Sequence, residues 1–470
     1  MKRKLLKNLS ANTLQLIVNQ VSGLIIFYIL STGLNKENFG QINLALAIML
    51  AVFNILSFGI DQIAVRKLAS GDEPQMILSL YIIHVLLTGV AFYALLLGAT
   101  LIFPSIGAYR VILLIGTGKL MIYFSSPLKQ SAIGLERFKL LTYLSIISNI
   151  IRSVCFIVIA IIHQIDLNNV IIVFIVGDAL ELFIGILLFK SDVPFALKIK
   201  WHKSNYAALI KESLPQFGVT IITSALARFD WIFIGIVLPA VKLAEYSFAY
   251  KVFELSAMPL LAIAPLLIPW FTRLFKDEAQ PDIANLRLLL KLEMIVAAFT
   301  IVIINSCWSP VIDQLTKGKY GLVNERTIFI LSLCIPLQYV TNFLWTINFA
   351  KGRMKMIFHA FVVTLVINVV GDIILIPIFK NEGAAFAYLA GYIAQATFYI
   401  YKNEVRGLNR SVYPLLLCTG CACVSFFAAK LLFINTWGII VVTALLYLAS
   451  LVMTRQIKLA DLEKLRNALE

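Results

Sequence analysis

LSLYIIHVLLTGVAFYALLLGATLIF, residues 78–103, decides what kind of fold this chain has. It runs without an Asp, Glu, Lys or Arg. Its length suits the ~30 Å hydrocarbon layer of a bilayer, which takes about 20 apolar residues of helix to cross. Windows of the same kind fall near 10–32, 41–63, 110–133, 140–162 and 169–190. They recur near 213–237, 246–271, 289–311, 328–350, 357–379 and 384–402, and again near 412–432 and 436–454. The pattern predicts an all-α polytopic membrane protein of about 14 transmembrane helices. Twelve is the competing count, because the last pieces are short.

Composition agrees. Of 470 residues, 60% are hydrophobic and 14% charged, far from the half-apolar, quarter-charged make-up of soluble domains. A net charge of +15 would point to nucleic acid in a soluble protein. Here it has a different source, because Lys and Arg collect in the cytoplasmic loops of membrane proteins, and no nucleic-acid partner is expected. Cys155, Cys307, Cys334, Cys418, Cys421 and Cys423 lie in apolar stretches without disulfide or zinc-ligand spacing, and read as packing residues. Met1-Lys2-Arg3-Lys4 ahead of an apolar run imitates a secretory signal, but no small-residue cleavage site follows, so it reads as the first span.

The loops set the orientation. With the amino terminus inside, one side gathers Lys2, Arg3, Lys4, Lys7, Arg66, Lys67, Lys129, Arg137, Lys139 and the basic run Lys190, Lys198, Lys200, Lys203 and Lys211. Arg273, Lys276, Arg287, Lys291, Lys351, Arg353, Lys355, Lys402, Arg406, Arg410, Arg455, Lys458, Lys464 and Arg466 continue it. The other side holds only Lys36, Arg110, Lys242, Lys317, Lys319, Arg326, Lys380 and Lys430. A wrong register would scramble this alternation, so both termini are expected in the cytoplasm of a cell whose inner membrane the chain crosses.

The longest inside loop suggests a hinge. Residues 1–190 then form an amino-terminal six-helix lobe, 191–212 a cytoplasmic linker, and 213–403 a second six-helix lobe, with 404–470 adding two helices and a tail. A faint echo supports the division: Gly134-Leu135-Glu136-Arg137-Phe138-Lys139 against Lys351-Gly352-Arg353-Met354-Lys355. An even number of spans per lobe places both lobes the same way up.

Charged groups within the spans are costly and so are functional candidates. The cations are Lys119, Arg152, Arg228 and Lys251; the acids are Asp178, Glu181, Asp230, Glu254 and Asp372, with Asp61 near the inner end of span two. Helical spacing aligns Ser145, Ser148, Asn149 and Arg152 in one stripe, as it does Asn12, Gln15, Asn19 and Ser22, and Gln338, Thr341, Asn342 and Trp345. Such stripes must face protein or water, and a polar central cavity between the lobes accommodates them. They also serve to join helices, and Lys251 and Glu254, one turn apart, can neutralise each other. Asp230, nearly opposite Arg228 on its helix, reads as a partner for a neighbouring helix. Guanidinium forks and lysine point charges suit phosphate, so Arg228, Lys251, Arg152 and Lys119 are the candidate substrate-binding residues and the cargo is expected to be anionic. No nucleotide-binding Gly-rich loop is present, and no metal-ligand set or cofactor is expected. An H+ or Na+ gradient is then the expected supply. Asp178 and Glu181 are the leading coupling candidates, with Asp61, Glu254 and Asp372 as alternatives, since desolvated carboxylates can take up and release ions.

The stretch Arg228-Phe229-Asp230-Trp231-Ile232-Phe233-Ile234-Gly235, with Ala244-Glu245-Tyr246-Ser247-Phe248-Ala249-Tyr250-Lys251, resembles spans seven and eight of bacterial polysaccharide flippases. These O-antigen or lipid-linked oligosaccharide translocases belong to the multidrug/oligosaccharidyl-lipid/polysaccharide exporter superfamily. Ile374-Leu375-Ile376-Pro377 with Glu382-Gly383-Ala384-Ala385, and Asn38-Phe39-Gly40-Gln41, are similar to other parts of that family. The resemblance implies two six-helix lobes, MATE-like, around a cationic cavity that opens alternately inward and outward. The implied cargo is an undecaprenyl-pyrophosphate-linked oligosaccharide moved to the periplasmic leaflet for O-antigen or capsule. Other membrane proteins of polysaccharide assembly are implied partners, besides the lipid bilayer. Fourteen spans match the peptidoglycan-precursor branch in number, but span one carries Asn and Gln where that branch has arginines. A multidrug antiporter of the same superfamily is the alternative, against which four intramembrane cations argue. An enzyme, a membrane-embedded polymerase or glycosyltransferase, would need a larger loop than any here.

Overall fold

The computed structural model describes residues 2–102, 107–193, 199–257, 260, 271, 274–275, 283–403, 405, 412–432 and 436–456. The side chains of Lys2, Arg3, Lys4, Lys7, Asn12, Gln15 and Ser148, and the cations Lys198, Arg273, Lys276, Arg406, Arg410, Lys458, Lys464 and Arg466, lie outside what is described, as do residues 194–198 of the linker and much of the 246–271 window and of the tail.

Every regular element described is a helix, as lipid demands: with no water in the hydrocarbon, each backbone polar group must be satisfied within its own segment. Contacts divide the chain into two units, Met1–Ala244 and Glu245–Glu470. The first contains α1 (Lys2–Gly33), α2 (Lys36–Leu56), α3 (Ile60–Ala69), α4 (Pro74–Ile102), α5 (Gly107–Gly134), α6 (Phe138–Ile161), α7 (Leu167–Asp192) and α8 (Lys203–Val237). Most of α9 (Ala240–Ser256) belongs to the second. That unit also contains α10 (Ile283–Thr316), α11 (Glu325–Ser332), α12 (Cys334–Ala350), α13 (Met354–Phe379), α14 (Asn381–Tyr401), α15 (Val412–Leu432) and α16 (Thr436–Met453).

Each expected window overlaps a helix. Among the described residues ten helices are long and apolar enough to cross a bilayer, and Val18–Gly33 and Trp437–Met453 are shorter apolar helices. The expected spans outside these ten are α1, of which Val18–Gly33 is fully described; α9, of which 17 residues are described; α14, which has the length but whose Tyr and Gln content lowers its apolarity; and α16, which is short. Two windows are bent. The 41–63 window breaks at Phe58 and Gly59, whose φ angles are 55° and 73°, separating α2 from α3. The 328–350 window breaks at Leu333, because Pro336 has no N–H to return to the Ser332 carbonyl.

Helix ends are capped where the chain meets water. Asn35 accepts from Asn38 N at 2.8 Å to open α2, and Asp166 accepts from Asn169 N at 2.7 Å to open α7, each satisfying a donor that has no partner within the helix. The outward surface is apolar: Leu95, Leu101, Ile161 and Leu431 are all exposed, as expected of side chains that lipid solvates.

Within the first unit α5 is central, packing on α2, α3, α4, α6 and α7, while α1 packs on α6. The expected seventh span, α8, packs on α2 and α3, so by contact it groups with the helices before the 191–212 segment. Within the second unit α13 and α14 form a tight hairpin turned at Lys380, and α10 packs on α12, α15 and α16.

Candidate functional site

Four of the intramembrane charges named from sequence meet in one place. Asp178 and Glu181 lie one turn apart on α7, with side chains 0% and 3% exposed. Lys119 of α5 donates to Asp178 Oδ2 at 2.7 Å. Arg152 of α6 sets Nη1 2.6 Å from Asp178 Oδ1 and Nη2 3.6 Å from Glu181 Oε2. Lys129 completes the group by donating to Glu181, and Ser125 donates to the same carboxylate at 3.3 Å. Lys129 is therefore no loop cation, as the alternation of charges suggests, but a member of α5 that reaches the buried acid. Ser125 and Lys129, at i and i+4, share a helix face; that spacing is the sequence signal for it.

Two glycines allow this convergence. A Cβ on Gly118 would lie 2.9 Å from Asp178 Oδ2, and one on Gly177 would lie 2.4 Å from Arg152 Cγ. Small residues let membrane helices approach closely, and here the approach brings ions on three helices within bonding distance. The stripe containing Arg152 also joins helices: Asn149 accepts from Arg152 Nη2 at 2.9 Å and donates to Asn19 of α1 at 2.8 Å.

Three cations against two acids leave the cluster with one excess positive charge. Lys119 is, with Lys129, one of the two lysines of the cluster that keep some exposure. Its side chain is 17% exposed, its ammonium lies 5.0 Å from the centre of the Phe174 ring, and it lines a cavity of about 420 Å³. An ammonium has three donors, and Asp178 takes one. Tyr81, Tyr123, Ser126 and Gln130 also line this cavity, as does Asp61. Asp61 Oδ1 is buried and accepts no hydrogen bond among the described residues. The Tyr123 hydroxyl is hydrogen-bonded to Thr88 at 2.9 Å.

The other named residues lie apart from the cluster. Arg228 of α8 folds back on its own helix, donating to the Ala227 carbonyl at 2.9 Å and stacking 4.6 Å from the Trp231 ring centre. Asp230 is buried and accepts from Trp231 N at 2.8 Å. In the second unit Lys251 and Glu254 pair at 2.7 Å, and Glu254 lines a second cavity of about 450 Å³. Asp372 is fully buried on α13, one turn beyond buried Asn368. Glu293 on α10, which the sequence reading passes over, is buried with neither carboxylate oxygen hydrogen-bonded among the described residues.

A multi-pass helical bundle with ion-paired charges inside its spans and a cavity lined by Lys119 and Asp61 beside them has the make-up of a membrane transporter. Its backbone resembles "Lipid II flippase MurJ, inward closed conformation", at TM-score 0.74 and 16% identity over 96% of this chain and 99% of that one. It also resembles a multidrug resistance MATE family transporter of the MOP superfamily in its inward-facing conformation, at TM-score 0.61 and 12% identity over 85% of this chain and 98% of that one. A third similar structure is an outward-facing conformation of a multidrug resistance MATE family transporter of the MOP superfamily, at TM-score 0.54 and 14% identity over 87% and 93%. No curated protein sequence matches this chain. The family model described as "Polysaccharide biosynthesis protein" matches residues 5–275, more than half of the chain, and the protein belongs to that family.

Proposed function

We propose that this protein flips an undecaprenyl-pyrophosphate-linked oligosaccharide from the cytoplasmic to the periplasmic leaflet, by alternating access, for assembly of a surface polysaccharide such as O-antigen or capsule. The observation that carries the reading is the Lys119 ammonium, presented to a cavity by a cluster with one excess positive charge, in a member of a polysaccharide-biosynthesis family. A diphosphate is the part of such a cargo that a buried ammonium recognises, because the charge-assisted bonds it makes are about twice as strong as neutral ones. Arg152 positions Lys119 by sharing Asp178 with it. In this reading the chain crosses the inner membrane fourteen times with both termini cytoplasmic, and Arg228 and Lys251 are further contacts for the cargo.

The test is flipping in vesicles reconstituted with the purified protein and undecaprenyl-diphosphate–N-acetylglucosamine, scored by lectin access to the opposite leaflet. Lys119→Met, which keeps the side chain's shape and leaves Asp178 paired with Arg152, should slow flipping at least tenfold at unchanged protein content. Equal rates for this variant and wild type would remove Lys119 from the transport site.

A further inference from the structure

The 450 Å³ cavity of the second unit has a different chemistry from the first. Its walls are aromatic faces and amides: Tyr250, Trp345, Tyr388 and Tyr392, with Gln338 and Asn342. Its volume falls in the ~300–1,000 Å³ range of small-molecule sites. Among the described residues the one charged side chain that lines it, Glu254, is already paired with Lys251 at 2.7 Å, and none of them offers a free cation to a phosphate.

What it offers is a fixed array of hydroxyls and rings. Gln338 donates to the Tyr392 hydroxyl at 3.1 Å, Tyr392 meets Tyr388 at 3.4 Å, and Tyr250 donates to Tyr388 at 3.2 Å. The rings stand edge to face, Tyr250 against Tyr388 at 5.6 Å and Tyr388 against Tyr392 at 5.0 Å between centroids. With their hydroxyls tied to one another, the phenol rings cannot turn freely, and their positions are set before anything binds.

Two atoms in this array are unsatisfied. Gln338 Oε1 and Asn342 Nδ2 are shut off from solvent, and neither has a hydrogen-bond partner among the described residues. They sit one turn apart on α12, one an acceptor and the other a donor. A buried polar atom left unpaired is expensive, and a ligand hydroxyl that reaches this wall would relieve both. A hydroxyl group donates and accepts at once, and a ring carrying neighbouring hydroxyls satisfies both atoms. A pyranose has that edge, and also a C–H face that lies flat on an aromatic ring.

We propose that this cavity is a saccharide-binding site that reads the glycan of the cargo. This deepens the flippase reading and rests on it: the glycan of the flipped lipid is what this cavity takes. A site built to hydrogen-bond hydroxyls rejects analogues that lack them far more strongly than an apolar pocket does, so selection among glycans would lie here.

Equilibrium binding to the whole chain in nanodiscs tests it, with three probes: undecaprenyl diphosphate, and the same lipid carrying N-acetylglucosamine or N-acetylgalactosamine. Wild type should bind at least one sugar-bearing lipid about tenfold or more tighter than the bare diphosphate, the scale of one well-made hydrogen bond. Gln338→Met with Asn342→Leu should lose that increment while binding undecaprenyl diphosphate as wild type does. The pair replaces the two amides by apolar side chains of similar shape, giving up the single bond from Gln338 to Tyr392, and should fold; Trp345→Ala, expected to lower the increment separately, is the second variant. A double variant that retains the increment overturns the proposal. Wild type that binds all three lipids equally also overturns it and leaves the flippase reading standing, whereas binding of none of them fails that reading as well. Saturable binding of tetraphenylphosphonium, lost in Glu254→Gln, would make the cavity an organic-cation site and overturn the saccharide assignment.

Discussion

Replacing Asp178 by Asn keeps the shape of the side chain and removes one charge from the centre of the cluster. In the native protein Asp178 has a side chain 0% exposed and faces two cations, Lys119 at 2.7 Å and Arg152 at 2.6 Å. With Asn there, three cations share one carboxylate, Glu181, and Arg152 is 3.6 Å from its nearer oxygen. The cluster's excess charge rises from one to two. Breaking a buried pair by removing one partner costs about 3–5 kcal/mol, because the remaining charge is stranded without water. Lys119 can move its ammonium toward the cavity it lines and Arg152 keeps its contact with Glu181, so the lower half of that range, about 3–4 kcal/mol, is expected. Adding Lys119→Met returns the excess to one. The double variant should recover about 1.5–3 kcal/mol of the loss, the size of coupling seen between directly interacting residues. Unfolding of the purified protein in detergent, followed by intrinsic fluorescence in a double-mutant cycle, supplies the numbers. If Asp178→Asn unfolds as wild type does, or if the two changes add without coupling, the ion cluster does not stabilise the helices it joins.

Gly177→Ala should destabilise by about 1–3 kcal/mol, the usual cost of overpacking, because the new methyl would lie 2.4 Å from Arg152 Cγ, on a side chain pinned by Asp178; an unchanged unfolding midpoint would show that α6 and α7 are not held at contact there. Arg228→Ala should abolish polysaccharide export at normal membrane levels and Arg228→Lys should reduce it, since lysine keeps a point charge but not the planar fork; full export by the alanine variant removes Arg228 from the transport path. Reporter fusions after Lys211 and after Glu470 should both read cytoplasmic, and a periplasmic signal at either refutes the fourteen-span count.

The spans are legible in the sequence because a bilayer imposes a minimum length and forbids charge, and both constraints act on consecutive residues. The polar stripes are legible for a similar reason: Ser145, Asn149 and Arg152 repeat with the helical period. Their partners are not. That Asn149 meets Asn19 at 2.8 Å and Lys119 meets Asp178 at 2.7 Å depends on which helices are neighbours, and no period along a single helix encodes it. Lys129 shows the opposite failure. A lysine near the inner end of a span looks like part of the loop, yet its long stem lets it return to Glu181. The aromatic cavity is half visible: Gln338, Thr341, Asn342 and Trp345 form a stripe, but Tyr250, Tyr388 and Tyr392 come from other helices. The motifs that carry the family resemblance prove to be points of close approach. A Cβ on Gly40 would lie 1.9 Å from the Ala240 carbonyl oxygen, and one on Gly383 would lie 2.3 Å from that of Leu375.

The cluster also changes where ion coupling is to be sought. A carboxylate that carries protons or sodium through a transport cycle must be able to exchange its partner for solvent at some stage. Asp178 is fully enclosed, with a cation on each of its oxygens, and loading it with a proton would strand Lys119 and Arg152 together. Glu181 is similarly occupied by Lys129, Arg152 and Ser125. For either acid to act as carrier, helices α5, α6 and α7 would have to separate, against the packing that Gly118 and Gly177 permit. Asp61 is placed differently. It lines the same cavity as Lys119, at the first turn of the short helix α3 just after the bend at Phe58 and Gly59, and Oδ1 accepts no hydrogen bond among the described residues. An acid beside a bend can be covered or uncovered by a small change of helix direction, whereas an acid locked between three helices cannot. On this argument the paired acids hold the first unit together, and we propose that if transport is driven by an ion gradient the ion exchanges at a carboxylate outside the cluster, with Asp61 the one that shares the cargo's proposed site.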